Sequence, residues 1–552
     1  MKDKTGFMET VLQHPKRMYS ITGLFWLCTI LLYNTGHRAL LVDDALQGIW
    51  YMKYMGLKEF RDSFGYSGFY YGHFIVFKLI YFLCGMQTWY WFLVFSFMHA
   101  LNSMLLFSFC DQLYRGLDLQ PQSSARLAFL GALLFLVSPY HSENILWGAT
   151  SHYFVTLFLL LWIGKGILNY CTGIVTPLRL IFLHLAFAFA LVTLEISFLF
   201  PVIYYLLFLL FLWNRKTEIR HRSYFLQIVL PQLGLIALYF LCLKLKYGYW
   251  LPYGREGKDA AVSISYMLTT LTQHLMKLWG FIHFTSYPTR SLIYGWALQW
   301  GWSLLFLLTL FSGTSLWLMK KSKQRLSVFW FFCFTGLILY APFIRLYFMY
   351  LFRLEGNRYS YFSSAFLLPA AILIFSVFSI RLRIVLTALA IGLSLFFIFP
   401  TVHSYRNAGR LHSKYLNQFP DTLKGRIFLM NVPYNCTDAY VFRETPRLTM
   451  ALNLYKNGEW NNKVTIIAWY NAQTVSDAFA AARISENSYR IQQKTPGAWW
   501  MYEHLGATNY ENEIYRFETG EGNSCTITFK QTLKPDDAVL FFNGKRFIRL
   551  NE

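Results

Sequence analysis

Tyr71-Gly72-His73-Phe74-Ile75-Val76-Phe77-Lys78-Leu79-Ile80-Tyr81-Phe82-Leu83-Cys84-Gly85 decides how the whole chain is threaded. The run is apolar, but it falls short of the roughly 20 residues that cross a bilayer core as a helix. It also carries His73 and Lys78, charges that hydrocarbon tolerates poorly. We read it as an interfacial or re-entrant segment that does not cross. Basic residues decide the matter. If the run stays on the outer side, Arg115, Arg126, Lys165, Arg179, the cluster Arg215, Lys216, Arg220 and Arg222, the cluster Lys320, Lys321, Lys323 and Arg325, and Arg381 and Arg383 all fall in short cytoplasmic loops. If it crosses, they all move outside, against the positive-inside bias.

The rest of the chain supports a membrane setting. Of its 552 residues, 55% are hydrophobic and 20% aromatic, but only 14% are charged. A soluble chain would carry about a quarter charged residues. The formal charge of +22 would suggest nucleic acid in a soluble protein. Here no basic, aromatic-interleaved module is present, and the excess sits in loops, so no nucleic-acid partner is expected. Lys2, Lys4, Lys16 and Arg17 precede a first span at about Tyr19–Tyr33 and put the N-terminus in the cytoplasm. No small-residue cleavage site follows, so the span reads as retained. Further spans are expected at about 88–110, 127–147, 152–170, 178–195, 196–213, 224–244, 292–319, 326–344, 360–380 and 384–400; with the first, these make eleven and leave the C-terminus outside.

The expected fold is an α-helical polytopic membrane domain, residues 1–400, with outer loops 34–87 and 246–290. A C-terminal α/β domain, 401–552, follows outside the membrane. Within the second loop, Ser263–Phe284 has apolar residues at helical spacing around Gln273, His274 and Lys277, the pattern of a surface helix. In the tail, Arg426–Asn431, Val464–Trp469, Cys525–Phe529 and Ala538–Phe542 read as strands, and Val475–Arg483 as a helix. Most cysteines lie inside apolar runs. Cys436 and Cys525 are in the tail, and their pairing is open.

Chemistry is sought among charges that this threading brings to one face. In Leu40-Leu41-Val42-Asp43-Asp44-Ala45, just past the first span, Asp43 and Asp44 are candidate general bases, one accepting a proton while its neighbour positions the acceptor or a metal. The plainer reading is an acidic helix start. His73 joins them. In Ser138-Pro139-Tyr140-His141-Ser142-Glu143-Asn144, His141 and Glu143 either line a site or cap a Pro-marked helix end. Glu195, between two spans, is a substrate contact or a helix-pairing acid. Arg358, in Glu355-Gly356-Asn357-Arg358-Tyr359, grips a phosphate with two parallel hydrogen bonds or snorkels to headgroups. Arg345 and Arg353 are weaker candidates. His99 and Asn102 lie mid-span and read as helix-to-helix bonding groups. One His and one Glu do not make a zinc site, so no metal is required, although a divalent ion is compatible.

Val42-Asp43-Asp44-Ala45, His99-Ala100-Leu101-Asn102, Ser138 to Trp147, Leu194-Glu195-Ile196-Ser197 and Asn357-Arg358-Tyr359-Ser360-Tyr361, in that order over the first 400 residues, resemble the GT-C superfamily of integral membrane glycosyltransferases. The likeness is greatest to the protein O-mannosyltransferase type and its uncharacterised bacterial relatives. Leu194 stands where those relatives often have Lys, and no tetratricopeptide period follows the spans. The resemblance implies transfer of a sugar from a polyprenyl-phosphate donor to a lipid, glycan or protein acceptor at the outer face. The implied setting is a bacterial inner membrane with the C-terminal domain periplasmic. Asp43 and Asp44 would be catalytic; His73, His141, Glu143, Glu195 and Arg358 would bind substrate. Two alternatives remain: a transporter or flippase of a lipid-linked sugar, and a non-catalytic membrane assembly protein.

Overall fold

The computed structural model describes residues 15–54, 69–119, 121–250, 264–280, 322–343, 354–443, 445–456, 459–460, 463–495, 499–502 and 505–551, with scattered residues between 289 and 320. Arg345, Arg353 and most of the expected span 292–319 lie outside the described residues.

The helices are α1 (Pro15–Tyr33), α2 (Asp44–Tyr54), α3 (Tyr71–Cys84), α4 (Thr88–Gly116), α5 (Pro121–Leu136), α6 (Ser142–Leu146), α7 (Ser151–Cys171), α8 (Pro177–Leu191), α9 (Phe200–Trp213), α10 (His221–Tyr247), α11 (Ile264–Gly280), α12 (Lys323–Tyr340), α13 (Tyr361–Phe375), α14 (Ile380–Gln418) and α15 (Thr445–Lys456). Local chemistry sets their ends. Thr176, Ser322 and Ser379 accept the amide protons of Arg179, Arg325 and Leu382, capping α8, α12 and α14. Gly248, at φ +81°, closes α10 in the left-handed conformation glycine adopts freely.

Among the described residues, seven helices are long and apolar enough to cross a membrane, or eight if the bent pair Ser124–Leu136 and Pro139–Leu146 forms one broken span. Their outward faces carry exposed apolar side chains, among them Leu226, Leu233 and Leu241 on α10 and Ile384, Leu389 and Phe396 on α14. This is the pattern of a multi-pass membrane protein, where lipid replaces water around the bundle. Of the eleven expected spans, 292–319 falls mostly outside the described residues. The first span and 178–195 form the shorter apolar helices Met18–Tyr33 and Pro177–Leu191. The span expected at 127–147 is not straight. It bends by 51° where Ser138, extended as a residue before proline must be, leads into Pro139.

Helix α3 does not run the length of the bundle. At its start the Gly72 amide donates to Val192 O, at the end of α8, over 2.7 Å. Midway, Phe77 packs on Trp91 near the start of α4, ring centroids 5.1 Å apart, and against Gly48 of α2. The chain then turns at Gly85, φ +53°, directly into α4. The 14-residue α3 thus connects the end of α8, α2 and the start of α4. Ile75, Leu79, Phe82 and Leu83 face outward.

The amphipathic helix expected in the second loop forms as α11; His274 stacks on Tyr340 at 4.9 Å, and Leu271, Leu275 and Leu278 pack beside Tyr140 and Leu367. The helix α14 passes through Pro400 without ending and buries Val402, Tyr405, Ala408 and Tyr415 before Gln418. The sheet-bearing part of the chain follows Gln418, and α14 leads straight into it.

That domain has three sheets. The first, in order β14-β13-β1-β4, sets β1 (Ile427–Leu429) parallel to both β13 (Ala538–Phe542) and β4 (Val464–Ile466), with β14 (Phe547–Arg549) antiparallel at the edge. The second runs β3 (Ala439–Tyr440), β2 (Val432–Cys436), β5 (Trp469–Ala472), β8 (Trp499–Tyr502), β9 (Leu505–Gly506), with β2 and β5 parallel. The third is the antiparallel set β10 (Tyr510–Glu511), β11 (Tyr515–Gly520), β12 (Ser524–Phe529), β7 (Ser488–Gln493), β6 (Phe479–Ser485). The four strand runs read in the sequence are found. The helix expected at Val475–Arg483 is instead largely β6, whose alanines pair with β7. Cys436 in β2 and Cys525 in β12 are both buried free thiols.

Candidate functional site

A cavity of about 750 Å³ opens between α2, α3, the start of α7, the α8–α9 junction and the turn before α13. Four of the residues singled out in the sequence line it: Asp44, His73, Glu195 and Arg358. They are joined by Tyr70, Trp147 and His152, and the remaining wall is largely aromatic and aliphatic.

The acid pair is held by an unusual turn. Asp43 adopts φ +51°, which aspartate tolerates better than most residues. Its carbonyl accepts the amide protons of Leu46 at 3.0 Å and Gln47 at 3.2 Å, which launches α2 with Asp44 in its first turn. The preceding strand of chain is pinned by Gly148, whose amide donates to Leu40 O at 2.8 Å. A Cβ at Gly148 would stand 2.6 Å from that oxygen, so the approach requires glycine. Asp43 itself is fully buried and does not line the cavity; Asp44, with its side chain 29% exposed, does.

Glu143 lies behind the wall. Its carboxylate accepts the Arg358 amide proton at 2.7 Å and pairs with the Arg358 guanidinium. Arg358 also donates to Tyr359 Oη at 2.8 Å, and its guanidinium lies 4.9 Å from the Trp147 ring centroid. A planar cation fixed on several sides in this way presents a set orientation to the cavity. Across the cavity, Glu195 accepts a hydrogen bond from Tyr70 Oη. His73 and His152 lie ring to ring, centroids 4.2 Å apart.

His141 is placed elsewhere. It is buried in the helix core, bonded to Ser364 Oγ at 2.8 Å and packed on Phe135, centroids 4.3 Å apart. His99 and Asn102 bond Tyr361 Oη at 3.2 Å from two sides, Asn102 also reaches Phe154 O at 3.0 Å, and both therefore tie helices together.

Sequence reasoning missed Arg443 and Arg447, which come from the C-terminal domain. Arg447 donates to Asp44 Oδ1 from Nε at 3.0 Å and from Nη2 at 2.9 Å, and its Nε lies 3.7 Å from Asp43 Oδ1. Arg443 Nη1 lies 3.7 Å from Asp44 Oδ2. No local pattern signals an ion pair between positions 403 residues apart. His152 was findable, because a polar ring opening an apolar run is costly unless it has a task.

Among the described residues, no group of three His, Cys, Asp or Glu side chains could hold a metal ion. No protein-family model matches the chain, and no curated protein matches it.

Proposed function

We propose that this protein is a membrane glycosyltransferase that moves a sugar from a polyprenyl-phosphate carrier to an acceptor hydroxyl, in the cavity lined by Asp44, Glu195 and Arg358. One observation carries the reading: two acids and an arginine from remote parts of the chain face one cavity whose other walls are mostly apolar. Such a wall suits a lipid-linked substrate, and the few polar groups suit its head.

In the proposed step the acceptor oxygen attacks the anomeric carbon and the bond from that carbon to the phosphate oxygen breaks. The bonding pair leaves with the polyprenyl phosphate, and Asp44 takes the acceptor's proton. Arg358, oriented by Glu143, stabilises the charge that grows on the leaving phosphate. Glu195, His73 and His152 are placed to hold sugar hydroxyls. Asp43 shapes the turn that presents Asp44.

The test uses the full chain reconstituted in liposomes with a panel of radiolabelled polyprenyl-monophosphate hexoses and pentoses. The acceptors are envelope extracts from cells lacking the protein. Label should move from donor to a new product. Asp44→Asn should cut the rate by about 10²- to 10⁴-fold, the usual worth of a positioned general base, while the protein still folds and inserts. Full activity in Asp44→Asn removes the base assignment. Movement of the donor across the bilayer with no product would replace the reading with a flippase.

A further inference from the structure

The geometry points to the C-terminal domain as a working part of the cavity, with Arg447 as the positioning residue that aims Asp44; this inference rests on the transferase reading above. Three observations converge. First, both short bonds from Arg447 go to one oxygen, Asp44 Oδ1, at 3.0 and 2.9 Å. Oδ2 has Arg443 at 3.7 Å, beyond hydrogen-bond length. A carboxylate gripped by one oxygen keeps a fixed rotamer and leaves the other oxygen to take a proton.

Second, the contact is shielded. The side chains of Arg443 and Arg447 are 16% and 14% exposed, and that of Asp43 is fully buried. Two adjacent acids repel each other, and Arg447 faces both. Ion pairs this sheltered lose little to salt screening, and removing one partner leaves the other charge poorly solvated.

Third, the same domain touches the wall of the cavity that holds Arg358. The Arg358 guanidinium lies on Trp147, whose ring is 6.0 Å from Tyr440, and Arg443 lies over Tyr440 at 5.4 Å before reaching Asp44. Tyr440 and Arg443 belong to β3 and the chain just after it, and Arg447 to α15. A run of contacts thus joins Arg358 to Asp44 by way of the C-terminal domain. Undocking that domain would release both.

The experiment uses the full chain in nanodiscs, with Arg447→Gln, Arg447→Lys, Arg443→Gln and Asp44→Asn compared with wild type. Arg447→Gln should lower kcat by about 30- to 100-fold, the scale of a misplacement of about 1 Å, with KM for the donor changed by less than threefold. Arg447→Lys should recover part of that loss. Arg443→Gln should cost less than about fivefold. Independently of turnover, hydrogen exchange of the amides in 46–54 should quicken in Arg447→Gln. If Asp44→Asn is inactive while Arg447→Gln keeps wild-type kcat, the positioning role falls and the transferase reading stands. If no variant and no wild type transfers sugar, unchanged exchange of 46–54 in Arg447→Gln overturns the role by itself, and quickened exchange supports the aiming of α2 by the domain. Should Arg447→Gln fail to fold, folded Arg447→Lys with full kcat and unaltered exchange also overturns it.

Discussion

The buried pair Glu143–Arg358 yields a rank order of stabilities. Glu143 is 1% exposed, and its carboxylate serves both the Arg358 guanidinium and the Arg358 amide. Glu143→Met strands a cation whose side chain is 12% exposed, and Arg358→Met strands the buried acid. Each should cost about 3–5 kcal/mol, the usual penalty for breaking a buried pair from one side. The double variant leaves no orphaned charge and replaces the pair with apolar chains of similar length. Its remaining defect is the unpartnered amide of residue 358, worth about 1–3 kcal/mol. The double-mutant cycle should therefore show a coupling of at least about 3 kcal/mol. More simply, Glu143→Met/Arg358→Met should melt above either single variant when tryptophan fluorescence is followed during heating in detergent. A double variant that melts at or below the less stable single would refute the pairing as an energetic unit.

Three more outcomes follow from the geometry. Gly409→Ala should lower the melting temperature, because its Cβ would stand 2.6 Å from Arg38 C and 2.7 Å from Ala39 N, and backbone cannot yield as a side chain does; an overpacking cost of about 1–3 kcal/mol is expected. In the C-terminal sheet-bearing domain, burial pushes the Asp537 carboxyl up, but hydrogen bonds from Arg426 and from the Lys534 amide outweigh it and hold the group below the ordinary carboxylate range. A folded value below the unfolded one adds stability that is complete above about pH 4 and is lost as pH falls through the folded value. Melting curves of wild type should therefore drop in that acid window by more than those of Asp537→Asn. Denatured protein kept without reductant should react with a thiol reagent at both Cys436 and Cys525, which lie free in separate sheets, and native protein should react at neither.

The parts of the site legible in the sequence were those with a cost attached. Asp44, His73, Glu195 and Arg358 stood out because ionisable groups beside apolar runs demand a reason, and these four share the cavity. His141 obeyed the same rule but found its reason in Ser364 and the helix core, a difference that only packing decides. The reading of Tyr71–Gly85 rests on length, two charges and the spread of Lys and Arg along the chain, and α3 is a 14-residue apolar helix, shorter than a span. Local preference found the four strand runs of the tail but misplaced a helix among them. Ala480, Ala481 and Ala482 favour a helix, yet they pair with Gln492, Ile491 and Arg490, since strand formation depends on neighbours more than on intrinsic preference. Proline commonly ends a helix, yet Pro400 is carried inside α14. The arginines on Asp44 were invisible because ion pairing across folded domains leaves no periodic trace.

That uninterrupted α14 works as a shaft. A helix advances 1.5 Å and turns 100° per residue, so adding one residue between Phe399 and Val402 would swing every sheet beyond it by more than a quarter turn. The grip of Arg447 tolerates no such rotation. The number of residues between the bilayer and Phe419 is thus as tightly constrained as any side chain in the cavity, although none of those residues touches it.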